Sequence, residues 1–401
     1  MYPNNSSQKS CIFMGNLSLG TLFFLRLENA FLLAEKGSFI EVISCFGNLE
    51  NDLKMWCAFK GEAFIHKVAI AKNSNKDNFL YLLQKQSPKR FQKFDANSHI
   101  APFGHGLAPN GVLVESASPH YPFTYMNDNE LYNGNFTQIY EDSKKSQWNA
   151  SNDIKWKDIP SFSPAMEFAI AQIMTYLTEN EFSALYIPAR FLGQISPFFT
   201  TAPLLLSSII GDEARHIEAF IKRANVTGLG VQYSTIATQQ SLFSLFKETN
   251  YFKSSFLLHI MGEGTFIDLL KFLEESFEGL GDSASAELFY LARRDESRHV
   301  AYGMNNVKHT IAENPAKIAT LKEVVFERKN YLNAQSGESS LLLESLALLR
   351  GGGEEFISRG YEEVLELKKK MEKNRTKRLV ECGIDEELAY DLSRAHTPNF
   401  M

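Results

Sequence analysis

Two short stretches decide how this chain is read: Gly211-Asp212-Glu213-Ala214-Arg215-His216 and Arg294-Asp295-Glu296-Ser297-Arg298-His299. Both have the form D-E-x-R-H. In each, the glutamate and the histidine are three residues apart, a spacing that puts both side chains on one face of an α-helix. A carboxylate and an imidazole aimed at the same point can share a metal ion. One such pair is a common accident of a solvated helix face; two copies of the longer pattern are not.

Each copy is preceded at nearly the same distance by another glutamate. Glu181, in Glu179-Asn180-Glu181-Phe182-Ser183-Ala184, stands 32 residues before Glu213, and Glu263, in His259-Ile260-Met261-Gly262-Glu263-Gly264, stands 33 before Glu296. The near-equal separations predict two antiparallel helix hairpins of the same size, each giving one carboxylate from its first helix and a carboxylate–imidazole pair from its second. Glu179 has a claim similar to that of Glu181, which is preferred for its apolar neighbours Phe182 and Leu185. Glu263 lies in an apolar stretch, where a lone buried carboxylate is costly without a partner. The full set is Glu181, Glu213, His216, Glu263, Glu296 and His299. Four carboxylates and two imidazoles make a hard, nearly charge-balanced nest for two divalent first-row ions. Two iron ions are the preferred cofactor, with manganese or a mixed pair as alternatives. Asp212 and Asp295 are placed to accept the distal N–H of the ligating imidazoles, and Arg215 and Arg298 to pair with those aspartates.

The surrounding sequence divides into three textures. Residues 1–86 read as a small α+β sandwich. They contain a helical stretch Thr21–Ala34, a β-branched run Phe39–Ile43, and a helix Leu49–Lys60 stopped by Gly61. A strand pair at about 63–71 and 78–84 is joined by the turn Asn73-Ser74-Asn75-Lys76-Asp77. Residues 87–160 are rich in Pro, Gly, Asn and His, with aromatics (Tyr121, Phe123, Tyr125), and read as a wrapping segment with a short helix at Phe136–Gln147. From 161 to 401 the texture is helical, opening at Ser163-Pro164. Apolar-periodic stretches follow at about 164–192, 200–224, 236–278, 281–312, 316–332 and 338–374. The end, Arg375 to Met401, reads as a charged surface helix with a tail. The fold class is mainly α, a helical bundle carrying a small N-terminal α+β domain.

These residues resemble the ferritin-like di-iron carboxylate superfamily, and most closely its oxygenase branch, which includes the hydroxylase subunits of bacterial multicomponent monooxygenases. The stretch from Tyr140 through Trp148 to Trp156 is similar to the segment that leads into the bundle in such oxygenases. The resemblance covers about 135–312 with specific motifs. It implies a ferritin-like bundle in which Glu181, Glu213, Glu263 and Glu296 are catalytic metal ligands and dioxygen is a co-substrate. Two departures narrow the branch. The radical tyrosine of ribonucleotide reductase small subunits is replaced by Phe220, and the extra histidine of arylamine N-oxygenases by Ala292. The N-terminal region resembles the TusA/SirA-like sulfur carriers through Gly15–Gly20, Gly37 with Ile40-Glu41-Val42, and Asp52–Gly61. Ser18-Leu19 stands where that family has its Cys-Pro pair. A serine hydroxyl cannot hold a persulfide, so the domain is expected to dock or dimerise rather than carry sulfur.

Bulk properties agree with an enzyme of this kind. With 401 residues and 44% hydrophobic composition a large core is available. A net charge of −6 gives no basic footprint for nucleic acid. The start Met1-Tyr2-Pro3-Asn4-Asn5-Ser6-Ser7 lacks the charged region of a signal peptide, and no run of about 18 apolar residues predicts a membrane span. The cysteines Cys11, Cys45, Cys57 and Cys382 form no C-x-x-C pair, which argues against a thiolate metal site, and scattered cysteines in a chain without a signal fit a reducing cytoplasm. The expected function is that of an oxygenase or hydroxylase acting on an apolar or aromatic small molecule, supplied with electrons by an external donor and working as a homodimer. Helices rich in Phe198, Phe199, Phe220 and Phe266 read chiefly as core. Two other classes stay open at this point, a ferroxidase or oxidase without organic oxygenation and a metal-stabilised docking scaffold.

Overall fold

The computed structural model describes residues 9–73, 76–88, 99–101, 104, 106–109, 111–114, 119–125, 131, 135–334 and 339–396. The start Met1–Ser7, the turn residues Ser74 and Asn75, the Glu338 helix start and the tail 397–401 lie outside them. The chain divides into two compact units, Met1–Ser98 and His99–Met401. No helix among the described residues is long and apolar enough to cross a membrane.

The first unit runs β1 (Lys9–Gly15), α1 (Thr21–Leu33), β2 (Phe39–Ser44), α2 (Glu50–Lys60), β3 (Ala63–Asn73) and β4 (Lys76–Gln84). Its sheet has the order β1-β2-β4-β3, with β1 parallel to β2 and the other pairs antiparallel. Strand β2 alternates half-buried and buried residues, so Ile40, Val42 and Ser44 face the core. There Ile40 and Val42 meet Phe23, Leu27 and Phe31 of α1 and Leu53 and Cys57 of α2. Gly61 closes α2 in the left-handed conformation, as its position predicts. Strand β1 was not legible, because Lys9-Ser10-Cys11-Ile12-Phe13 lacks a clean alternation.

The second unit is helical. A short helix α3 (Phe136–Lys145) precedes α4 (Pro164–Leu192), whose Ser163 side chain caps the Met166 N–H with Pro164 in the first turn. Next come α5 (Thr201–Ala224), α6 (Ile236–Phe246) and α7 (Tyr251–Ser255). A π-helical turn, Phe256–Gly262, leads into α8 (Glu263–Gly279), followed by α9 (Ser283–Glu313) and α10 (Lys317–Asn333). The unit ends with α11 (Ser340–Gly351), α12 (Ile357–Glu381) and α13 (Glu386–His396). The hairpins α4/α5 and α8/α9 pack together through α5 and α9, while α11 lies on α4 and α12 on α8. This is the ferritin-like arrangement, with one continuous apolar core running between the four central helices.

Three expectations about the helices are corrected. The stretch 236–278 is two helical runs, because Lys247–Asn250 leaves the helix, and the second run widens into the π turn at Phe256–Gly262. The stretch 338–374 is two helices, broken at Gly351-Gly352-Gly353, where Gly352 takes φ +79°. The terminal region is not a surface helix. Arg375 and Leu379 continue α12 into the core, and Leu392, Ser393 and His396 of α13 are buried with them.

Candidate metal centre

The four central helices bring the six anticipated side chains to one place. Glu181 comes from α4, Glu213 and His216 from α5, Glu263 from the first residue of α8, and Glu296 and His299 from α9. All six are at most 1% exposed. They fall into two overlapping groups whose ligand atoms lie within 4.8 Å of one another: Glu181, Glu213, His216 and Glu296, and Glu213, Glu263, Glu296 and His299. Glu213 and Glu296 belong to both. Glu179, the competitor of Glu181, is only half-buried and accepts a hydrogen bond from Gln239 Nε2 at 2.9 Å, away from this cluster. The apolar-neighbour reasoning behind Glu181 does not hold at Phe182, which is 40% exposed.

A metal fit can be tested on the donor atoms themselves. Oε1 of Glu181 and of Glu263, both oxygens of Glu213 and of Glu296, and Nδ1 of His216 and of His299 are buried without a hydrogen-bond partner. His216 Nδ1 lies 3.4–3.5 Å from oxygens of Glu181, Glu213 and Glu296, and His299 Nδ1 lies 2.9 Å and 3.4 Å from Glu213 and Glu296. Buried polar atoms are almost always satisfied, and leaving one unsatisfied costs about 1–3 kcal/mol. Two imidazoles cannot supply enough protons for so many carboxylate oxygens. Cations at the centre would satisfy all of them, so the residues fit a pair of metal ions.

Behind the imidazoles the pairing is crossed. His216 Nε2 is 3.3 Å from Asp295 of the other motif, and His299 Nε2 is 3.3 Å from Asp212. The expected support of each imidazole by an aspartate is present, but each aspartate serves the opposite hairpin. Arg215 and Arg298 each bond to both aspartates. Two residues that the motifs did not flag complete this layer. Trp148 Nε1 donates to Asp295 Oδ2 at 2.6 Å, and Gln147 links Asp212 to Arg215. The indole also stacks on the His216 ring, with centroids 6.2 Å apart, and lies under the Arg215 guanidinium. Both residues lie in the lead-in stretch that carried the oxygenase resemblance; their polar, aromatic character next to a helix end was the available signal. Phe220 also lies against His216, with ring centroids 6.3 Å apart, and stacks on Phe289. Phe220 and Phe266 are core, while Phe198 and Phe199 are half-buried in a short 3₁₀ turn.

The electrostatics follow from burial. Desolvation and the neighbouring Glu213 charge push the Glu181 carboxyl well up. Burial opposes ionisation of Glu213 as well, but Glu181 and the two imidazoles hold it well below the usual range. Burial and Glu296 raise Glu263 against the relief from His259. For His216 and His299 burial works against the charged form, yet the surrounding carboxylates lift both well above an ordinary imidazole. Asp212 and Asp295 resist ionisation through burial and are nonetheless held low by the histidines and arginines facing them. Burial and mutual charge thus favour the protonated forms of Glu181, Glu263, His216 and His299 and the ionised forms of Glu213, Asp212 and Asp295.

The fold and this cluster define a helical-bundle protein with a buried carboxylate–histidine nest. Residues 155–334, which include all four central helices, match a family described as a protein of unknown function, DUF455. No curated protein matches the chain. Among solved structures, the chain is similar to a variant of an R2-like ligand-binding oxidase with an aerobically reconstituted Mn/Fe cofactor. The two are 16% identical, the match covers 63% of this chain and 94% of that one, and the TM-score is 0.49. A second variant of an R2-like ligand-binding oxidase, with an aerobically reconstituted Fe/Fe cofactor, matches at 16% identity, 63% and 93% coverage and a TM-score of 0.47.

Proposed function

We propose that this chain is a dioxygen-activating oxidoreductase that binds two first-row metal ions, iron or iron with manganese, and oxidises an organic substrate of apolar or aromatic character. The proposed ligands are Glu181, Glu213, His216, Glu263, Glu296 and His299. One observation carries the reading: the two overlapping donor groups share Glu213 and Glu296. A purely structural ion needs one closed set of donors. Two sets with two carboxylates in common suit two ions whose charges are coupled, and hard oxygen donors with imidazole suit iron and manganese.

When bound, a ferrous pair supplies electrons to dioxygen. The chain's own residues do the rest. Glu181 and Glu263 each belong to one donor group, while Glu213 and Glu296 join the two. Asp295 and Asp212 fix the ring orientation of His216 and His299. Trp148 and Phe220 flank His216 and keep its ring from water. Glu181, His216 and His299, whose surroundings favour their protonated forms, would have to give up protons to hold the cations. Electrons come from a separate donor, since the sequence carries no flavin or ferredoxin motif. The N-terminal unit is read as a TusA/SirA-like docking or dimerising module, and the enzyme as a cytoplasmic homodimer.

The test is anaerobic loading with ferrous iron, elemental analysis, and then dioxygen uptake with and without a panel of aromatic and aliphatic substrates. Two ions per chain and uptake coupled to an oxygenated product support the proposal. Uptake with ferric release and no organic product favours a ferroxidase, and bound metal without uptake favours a scaffold; either result overturns it. Glu296→Ala is expected to lose metal and activity while keeping its helix content.

A further inference from the structure

The two halves of the centre are not equivalent. Four residues before Glu263, in the π turn, stands His259, and its Nδ1 is 2.7 Å from Glu263 Oε2 with both side chains buried. Four residues before Glu181 the chain has Leu177, fully buried and unable to donate. Glu263 is therefore held by a side chain from outside the donor set, whereas the side chains facing Glu181, those of Glu213 and His216, belong to that set.

His259 is itself fixed on three sides. Its ring meets Tyr302 edge-on at 4.9 Å, and the Tyr302 hydroxyl is hydrogen-bonded to that of Tyr251. The α9 backbone approaches so closely at Gly303 that a Cβ there would lie 2.5 Å from His259 Cβ. Only glycine admits that contact without displacing the ring. The π turn widens the backbone just where this ring must fit, between the end of α7 and the start of α8. With Glu263 ionised, as a metal ligand must be, its oxygens only accept, and the 2.7 Å contact then has His259 Nδ1–H as the donor. That ties up Oε2 and leaves Oε1, which has no partner, as the oxygen offered to the centre.

We propose that His259 is a positioning residue that presents Glu263 through a single oxygen and so makes the Glu263/His299 metal position tighter than it would otherwise be, leaving the Glu181/His216 position unaffected. The inference rests on the two-metal reading above. Groups that orient metal ligands typically contribute 10–100-fold to affinity.

The test is a titration of the metal-free full chain with Mn(II), following the EPR signal of free Mn(II) to obtain two stepwise dissociation constants. His259→Leu should leave one constant unchanged and weaken the other about 10–100-fold. His259→Asn, whose amide N–H can reach the place of Nδ1, should restore most of the loss. A merely structural role would give no such split and no rescue by the amide. Two unchanged constants in His259→Leu, or an equal loss at both positions, would overturn the inference while leaving the metal reading intact. Failure of the unsubstituted chain to bind two ions would overturn the metal reading itself, and this inference with it. Far-UV circular dichroism of each metal-free variant separates misfolding from loss of a ligand; if His259→Leu misfolds, Gly303→Ala, which displaces the ring instead of removing it, must show the same one-sided loss.

Discussion

Because Glu213 and Glu296 belong to both donor groups while Glu181 belongs to one, charge-neutral substitutions at the two kinds of position should differ in a way a thermal scan can read. A ligand that binds only the native state at 100 times its dissociation constant stabilises by about 2.7 kcal/mol per site. The second unit spans roughly 300 residues, for which the unfolding entropy is about 0.6 kcal/mol per kelvin at about 2.1 cal/mol/K per residue. Each ion should therefore raise the midpoint by about 4 °C, and a filled pair by about 9 °C. Glu181→Gln spoils one group and should keep about half of the shift. Glu296→Gln spoils both and should keep almost none. The assay is differential scanning calorimetry with Mn(II), using metal-free protein of each variant as its own reference so that effects on the empty cluster cancel. A full shift in Glu296→Gln, or a complete loss in Glu181→Gln, would show that these carboxylates are not arranged as shared and terminal donors.

The remaining predictions concern protons and the layer behind the imidazoles. The folded-state values of His216, His299, Glu181 and Glu263 are all raised, so the metal-free fold binds extra protons. The histidine contribution is fully present below the unfolded value of about 6.5 and is lost as pH rises through the raised folded values. The metal-free protein should therefore lose thermal stability as pH rises above about 6.5, and the stabilisation by Mn(II) should grow over the same range by about 1.4 kcal/mol per pH unit for each proton released; a stabilisation that is flat or shrinking with pH contradicts the scheme. Trp148→Phe removes the N–H that Asp295 accepts and should cost about 2 kcal/mol, seen as a lower urea midpoint at unchanged slope; a loss under about 0.5 kcal/mol would mean the arginines already satisfy that carboxylate.

How much of this was legible depended on whether the signal was local. The D-E-x-R-H spacing is a property of one helix turn, and the separations Glu181–Glu213 and Glu263–Glu296 are properties of one hairpin, so the six side chains could be named from the sequence. The capped start at Ser163-Pro164 and the stop at Gly61 were local too. What failed was non-local or depended on packing. Nothing in Asp212 or Asp295 says which imidazole it will face, because that is set by how α5 packs on α9. Trp148 is a lone aromatic until the structure puts its N–H on Asp295. Buried Arg375 reads as one more charge in a basic run, yet its Nε donates to Thr265 and its Nη1 to the Ser393 carbonyl. His259 was visible as a histidine four residues before Glu263, but its role needed the close approach at Gly303, which no spacing rule supplies.

The crossed pairing also explains why the motif is duplicated as a whole rather than only at its ligands. If Asp212 supported His216, each hairpin would be self-sufficient, and the two could drift apart by the play of one helix packing on another. Because Asp295 supports His216 and Asp212 supports His299, neither imidazole is oriented until the hairpins dock. Arg215 and Arg298 each bridge both aspartates, so four charges of alternating sign form a closed ring across the α5–α9 seam. Breaking one member strands its buried partners, a cost of about 3–5 kcal/mol for a buried ion pair that loses one side. The aspartates and arginines of D-E-x-R-H thus tie the packing of α5 on α9 to the aim of the two imidazoles.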